Sequence, residues 1–163
     1  MKPKTSPISL RPMKPGEEAG IVDLVLEVFS EFVAPEFPDE GISEFKRYIT
    51  ASALSERFAS GNPILVALLE TKLIGVTEIR DHCHIALLFV KPLYQKKGLA
   101  RQLIHEAVRI CKKRNPDIQK MTVNSSPNAY EAYRRLGFTG ERKVKTVNAI
   151  RFIPMELRLG PKS

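Results

Sequence analysis

HIALLFVKPLYQKKGLARQLIHEAVRICKKRNPDIQKMTVN, residues 84–124, reads as a strand, a helix and a second strand in one run. His84 to Val90 is a β-rich apolar segment that Pro92 and the Lys96, Lys97 pair bring to an end. Leu99, Leu103, Ile104, Ala107, Val108 and Cys111 then recur at helical spacing to about Arg114, where Asn115 and Pro116 stop the helix. Ile118 to Asn124 returns to strand character. A strand, a helix and a strand in this order imply a parallel pair joined by a right-handed crossover.

The flanking sequence builds a mixed sheet around that pair. Upstream, Ile64 to Glu70 and Leu73 to Arg80 precede the His84 strand with short polar connections, as in an antiparallel meander. Ile8 to Met13 reads as a first strand. Ile21, Val25, Val28, Phe29 and Phe32 mark a helix from Glu17 to Val33, stopped by Pro35 and Pro38. Asp39 caps a second helix with Ile42, Phe45, Tyr48 and Ile49 on one face up to about Ala53, and a further turn runs through Phe58. Downstream, Pro127 to Leu136 is a helix, and Phe138 to Val147 with Ile150 to Leu159 are the last strands. The order is βααβββαβαββ: an α/β (α+β) fold with a mostly antiparallel sheet, a central parallel strand pair and flanking helices.

Composition bounds the function. A chain of 163 residues with 43% hydrophobic and 27% charged residues is ordinary globular material. It suits a single domain over 1–163, with residues 1–7 a flexible basic arm. The longest apolar runs, such as Ile64 to Leu69, hold six residues, where a spanning helix needs about 20. No apolar segment precedes Arg11, so the expectation is a cytoplasmic protein with no membrane partner. Cys83 and Cys111 lack metal-ligand spacing, so no metal is expected and both read as core thiols. The net charge of +8 is unevenly placed: Glu17 to Glu56 carries −8 and Lys91 to Lys120 carries +7. If the acidic stretch bordered a substrate cleft it would draw in cationic ligands. No aromatic RNA-binding run, zinc finger or GxxG loop accompanies the basic stretch, so nucleic acid would rest on charge alone.

Two segments carry chemistry. Val90-Lys-Pro-Leu-Tyr-Gln95-Lys-Lys-Gly98-Leu-Ala100 leads from a strand into a helix, a junction that offers unpaired backbone N–H groups at the positive end of a helix dipole. In Asn124-Ser-Ser-Pro-Asn128-Ala-Tyr-Glu-Ala-Tyr133-Arg-Arg-Leu136-Gly137-Phe138, Ser125, Ser126 and Asn128 can cap a short helix and Gly137 can end it. Together they resemble the GNAT superfamily of N-acetyltransferases. Gln95, Gly98 and Ala100 match its Q/R-x-x-G-x-G/A phosphate motif, and Asn128, Ala129, Tyr133, Leu136, Gly137 and Phe138 match its later signature.

The resemblance implies acetyl-coenzyme A held between two splayed parallel strands and an amine acceptor, small molecule or peptide, that attacks the thioester directly. The pyrophosphate would lie on the N–H groups of Gln95, Lys96, Lys97, Gly98, Leu99 and Ala100, with Lys96, Lys97 and Arg101 supplying positive charge. Pantetheine would pair with the strand edge near Phe89 and Val90, and Asn124 and Asn128 would approach from the other strand. An N–H near Leu88 would steady the oxyanion. Tyr133 would protonate the leaving thiolate, and His84, with His82 on the same face, would take the proton of the amine. A second reading is a module that binds the coenzyme or nucleic acid without turnover; Tyr133 beside a complete phosphate motif favours the enzyme. The terminal strands leave both a monomer and a homodimer open.

Overall fold

The computed structural model describes residues 7–160. Of the arm expected over residues 1–7, only Pro7 falls within them. The elements are β1 (Ile8–Pro12), α1 (Glu18–Phe32), α2 (Asp39–Tyr48), α3 (Ala51–Ala59), β2 (Ile64–Leu69), β3 (Lys72–Arg80), β4 (His84–Val90), α4 (Leu99–Arg114), β5 (Lys120–Ser125), α5 (Tyr130–Arg135), β6 (Lys145–Val147) and β7 (Ile150–Arg158). The sheet runs β1-β2-β3-β4-β5-β7-β6. Its neighbours are antiparallel except β4 and β5, as expected for a meander feeding a crossover. Among the described residues no helix is long and apolar enough to cross a membrane.

The structure corrects two parts of the expected order. The second helix stops at Tyr48 instead of running to about Ala53, because Ile49 leaves helical geometry and Thr50 starts a new helix. The Thr50 hydroxyl accepts from the Ala53 N–H at 3.1 Å, and α3 is a separate helix of nine residues. The strand expected from Phe138 to Val147 is regular only at Lys145–Val147. Before it, Thr139 makes an isolated bridge to Glu156, and Gly140 approaches the Pro154 carbonyl so closely that a Cβ would sit 2.4 Å from it.

Side-chain alternation gives each face of the sheet its own core. Leu65, Ile74, Leu103, Met121, Phe138 and Ile153 pack with α4 and α5. Ile21, Leu24, Val25, Val66, Val76 and Leu87 pack with α1 to α3. β2 is buried on both faces, which explains its continuous apolar sequence. Cys83 and Cys111 are free buried thiols, as expected, and their sulfurs meet in the first of these cores.

One buried ion pair joins the layers on the α1–α3 face. The Glu78 side chain is fully buried, and its carboxylate accepts from Arg57 Nε at 2.7 Å, Arg57 Nη2 at 3.0 Å and Asn62 Nδ2 at 3.0 Å. Arg57 also donates to the Tyr48 carbonyl at 2.8 Å and lies 3.8 Å over the Tyr48 ring. Removing one member of such a pair leaves the other charge buried without compensation. Arg57→Ala is expected to lower unfolding free energy by about 3–5 kcal/mol in urea titration; a loss below about 1 kcal/mol would show that the pair is not the anchor of α3.

Candidate active site

The parallel pair is short. His84 pairs with Thr122 and Ile85 with Val123, after which β4 and β5 separate. At the same point β4 carries a bulge: Ile79 faces Ile85 and Glu78 faces Leu87, so Ala86 has no partner on β3. The extra residue lets Ile85 face the α4 core while Leu87 faces the α1–α3 core. Between the parted strands lies a cleft of about 1220 Å³.

The register shows what β4 presents to that cleft. The Lys91 N–H donates to the Ile74 carbonyl at 2.9 Å, and the pairing continues through Gly75 with Val90 to Glu78 with Leu87. Bonding alternates along an antiparallel ladder, so Leu87 and Phe89 spend their backbone groups on β3. The N–H and C=O groups of Leu88 and Val90 point the other way, toward the departed β5. Gln95 Nε2 donates to the Val90 carbonyl at 2.9 Å. Its side chain therefore braces the turn after β4, and Phe89 offers the cleft its ring rather than the backbone edge expected of it.

The turn into α4 is shaped for backbone donors. Lys96 (φ 62°) and Gly98 (φ 82°) both adopt left-handed geometry immediately before Leu99 opens α4. Successive N–H groups in such a turn form an anion-binding concavity, reinforced by the helix dipole. Nothing lies within 4 Å of a Cβ built on Gly98, so the space above the turn is open. Lys96, Gly98, Leu99, Ala100 and Arg101 line the cleft. Lys97 does not; its ammonium lies 6.0 Å from the centre of the Tyr94 ring. Arg101 donates to the Arg135 carbonyl at 3.0 Å and so joins the start of α4 to the end of α5.

Leu88, Val90, His84, Asn124, Asn128 and Tyr133 line the same cleft. Tyr133 is buried on α5 with its ring edge-on to Phe138 at 5.3 Å, and burial pushes its phenol above the ordinary value. His84 is half-buried, and its Nδ1 lies 2.7 Å from Thr122 Oγ1. Burial first, and the nearby Arg80 second, hold its pKa below the usual histidine value, so the ring is neutral at pH 7. His82 sits exposed in the turn before β4 and, together with His84, lines a surface hollow at the other end of the strands, but unlike His84 it does not line the cleft. Asn128 Nδ2 donates to the Phe32 carbonyl at 2.7 Å, which ties the β5–α5 connection to the end of α1 across the cleft.

The acidic stretch does not border this cleft as a charged surface. Of its ten acids only Glu44 lines the cleft, and Glu44 pairs with Arg47 at 3.2 Å. The walls contributed by α1 and α2 are Phe29, Phe32, Phe45 and Tyr48, residues whose helical spacing read simply as a core stripe. Arg57, Arg80 and the β6–β7 hairpin also reach the cleft and were not singled out by the sequence.

Comparison with known proteins places the chain. Residues 33–159 match the family model described as an acetyltransferase (GNAT) domain. An uncharacterised N-acetyltransferase of Methanocaldococcus jannaschii is 31% identical over 87 residues, 53% of this chain and 38% of that protein, so the match spans well under half the relative's length. A GCN5-related N-acetyltransferase from Rhodopseudomonas palustris superposes with a TM-score of 0.81 at 22% identity, covering 96% of this chain and 98% of that one. The PaiA N-acetyltransferase from Thermoplasma acidophilum, solved in complex with coenzyme A, gives 0.77 at 22% identity, covering 94% and 99%.

Proposed function

Because the chain belongs to the GNAT acetyltransferase family, we propose that it transfers the acetyl group of acetyl-coenzyme A to a primary amine by direct attack in a ternary complex. The observation that carries this reading is the parting of β4 and β5, which leaves the N–H and C=O of Leu88 and the N–H of Val90 without a strand partner beside the left-handed turn at Lys96 and Gly98, the Val90 carbonyl being taken by Gln95. A cosubstrate with a diphosphate and a chain of amides has the complementary chemistry. Its phosphates suit the N–H groups from Lys96 to Ala100 and the charges of Lys96 and Arg101, whereas the Gln95 N–H expected among these donors is spent on the Pro92 carbonyl at 3.2 Å, and its amides suit the free edge of β4.

In the reaction a C–N bond forms at the thioester carbonyl and the C–S bond breaks. The outward N–H of Leu88 is the donor for the developing oxyanion. Tyr133, protonated because its pKa lies above the usual value near 10, gives its proton to the departing thiolate. His84 receives the amine proton; with Nδ1 against Thr122, Nε2 is the nitrogen left to accept it. Asn124 and Asn128 flank the coenzyme from the β5 side, Asn128 after giving up its bond to Phe32.

Thiol release from acetyl-coenzyme A in the presence of amines tests the activity; binding without turnover by any amine would reduce the protein to a coenzyme-binding module. Gly98→Glu should abolish acetyl-coenzyme A binding in isothermal titration. Gly98→Ala carries the same left-handed strain without the charge and should retain most of the affinity, so equal losses in the two would point to strain alone. Wild-type affinity should fall as salt rises from low ionic strength, since Lys96 and Arg101 are solvent-facing charges.

Tyr133→Phe should lower turnover by roughly 10² to 10⁴ with little change in coenzyme affinity. The pH profile has a defined sign. A base whose folded pKa is depressed loses activity only as pH falls below about 6.5, and that acidic limb should disappear in His84→Gln. An unchanged limb would assign proton removal to another group or to water.

A further inference from the structure

The arm of the cleft away from the phosphate turn is walled by rings. Phe29 of α1 stacks on Phe45 of α2 with centroids 4.0 Å apart and planes 14° from parallel. Phe37, from the connection between those helices, stands edge-on to Phe29 at 5.7 Å, and Phe45 reaches Phe89 of β4 at 6.1 Å. The aromatic surface thus continues to the strand whose edge faces the parted β5. The β6–β7 hairpin lines the cleft as well, with the apolar Val147, Ile150 and Phe152 alongside Asn148 and Arg151, the last a further cation. Phe32 and Val147, 37% and 57% exposed, leave apolar surface open at the mouth.

This wall is held in shape by backbone contact. The hairpin turns through Asn148 (φ 52°) and Ala149 (φ 63°), the left-handed pair of a tight two-residue connection. Its Ala149 carbonyl meets α2 at Gly41, where a Cβ would lie 2.4 Å from the oxygen. The charges on this arm do not suit a polycation. Glu44 is paired with Arg47, Glu78 is fully engaged by Arg57 and Asn62, and Arg57 and Arg80 are themselves cations.

From the aromatic walls and the absence of an unpaired acid among the described cleft residues, we infer that the acceptor is a primary amine on an apolar body of about ring size, with no second cationic centre. The inference rests on the acetyl-transfer reading and narrows its substrate class. Two sources share this chemistry: a free arylalkylamine and the α-amino group of a bulky apolar residue at a peptide's N-terminus. An apolar body of this kind gains from leaving water for the aromatic arm, whereas a polyamine must shed hydration with no carboxylate to replace it.

The test compares kcat/KM for phenethylamine, a phenylalanine-headed dipeptide amide, spermidine and glutamate at saturating acetyl-coenzyme A, with coenzyme binding measured separately by titration. At least one of the first two should exceed spermidine and glutamate by tenfold or more, the minimum discrimination expected of a shaped apolar pocket, and the better of them identifies the source. Val147→Glu, at an exposed wall position that does not threaten folding, should reduce that preference at least tenfold while leaving acetyl-coenzyme A affinity unchanged. Phe45→Leu, which keeps apolar volume but removes the stacked ring, should raise KM for the ring-bearing amine more than it lowers kcat. Equal or better use of spermidine or glutamate, or coenzyme binding with no turnover of either apolar amine, overturns the inference. Failure to bind acetyl-coenzyme A at all overturns the acetyl-transfer reading instead.

Discussion

Everything at the site follows from two parallel strands that stay together for only two residue pairs. A strand inside a sheet must bond on both edges or leave polar groups for another partner. Up to Ile85 the partner of β4 is β5; beyond it, β3 holds one edge and nothing in the sheet holds the other. The bulge at Ala86 falls at this point and also switches which core the following side chains enter. Opening of the cleft, release of the Leu88 and Val90 backbone groups and entry of Phe89 into the opposite wall are three results of one local irregularity.

The two arms of the cleft are built from different materials. The side proposed to take the phosphates offers main-chain N–H groups arranged by left-handed residues, so it depends on conformation more than on side-chain identity. The other side is made of rings from α1, α2 and β4, and its position depends on how those elements are anchored. Arg57 and Glu78 supply part of that anchorage by joining α3 to β3 and to the end of α2, away from the reacting groups. Loss of the ion pair would therefore disturb the ring-lined side before the turn at Lys96 and Gly98.

This division explains what the sequence disclosed. The strand–helix–strand run of residues 84–124 was legible because its apolar periodicity changes cleanly and Asn115-Pro116 marks a stop. Gly98 was legible through its place with Gln95 and Ala100 in the phosphate motif, whereas the left-handed turn at Lys96 left no glycine to mark it. The break at Ile49 left a weaker trace, since Thr50 is a good cap only once the chain has already turned. Residues 138–144 carry strand-like composition, but the close approach of Gly140 to Pro154 arises from tertiary packing. Helical periodicity located Phe29, Phe32 and Phe45 on an apolar face without revealing that this face meets a cleft. Counting charges likewise found an acidic stretch but not that Glu44 alone of its acids lines the cleft.

The free side of β4 also bears on self-association. Unpaired strand edges invite pairing with other chains, and proteins blunt them with proline, lysine or short length. At the perimeter of this sheet β1 ends in Arg11 and Pro12, and β6 is three residues long and begins with Lys145. The edge beyond Ala86 has none of these protections: its sequence, Leu87-Leu-Phe-Val90, is the kind that aggregates when exposed. It lies instead in the middle of the sheet, with the Asn128–Phe32 hydrogen bond spanning the cleft. The molecule thus keeps its most apolar strand edge inside the sheet while its outer rims carry the proline, the lysine and the short length that blunt an edge.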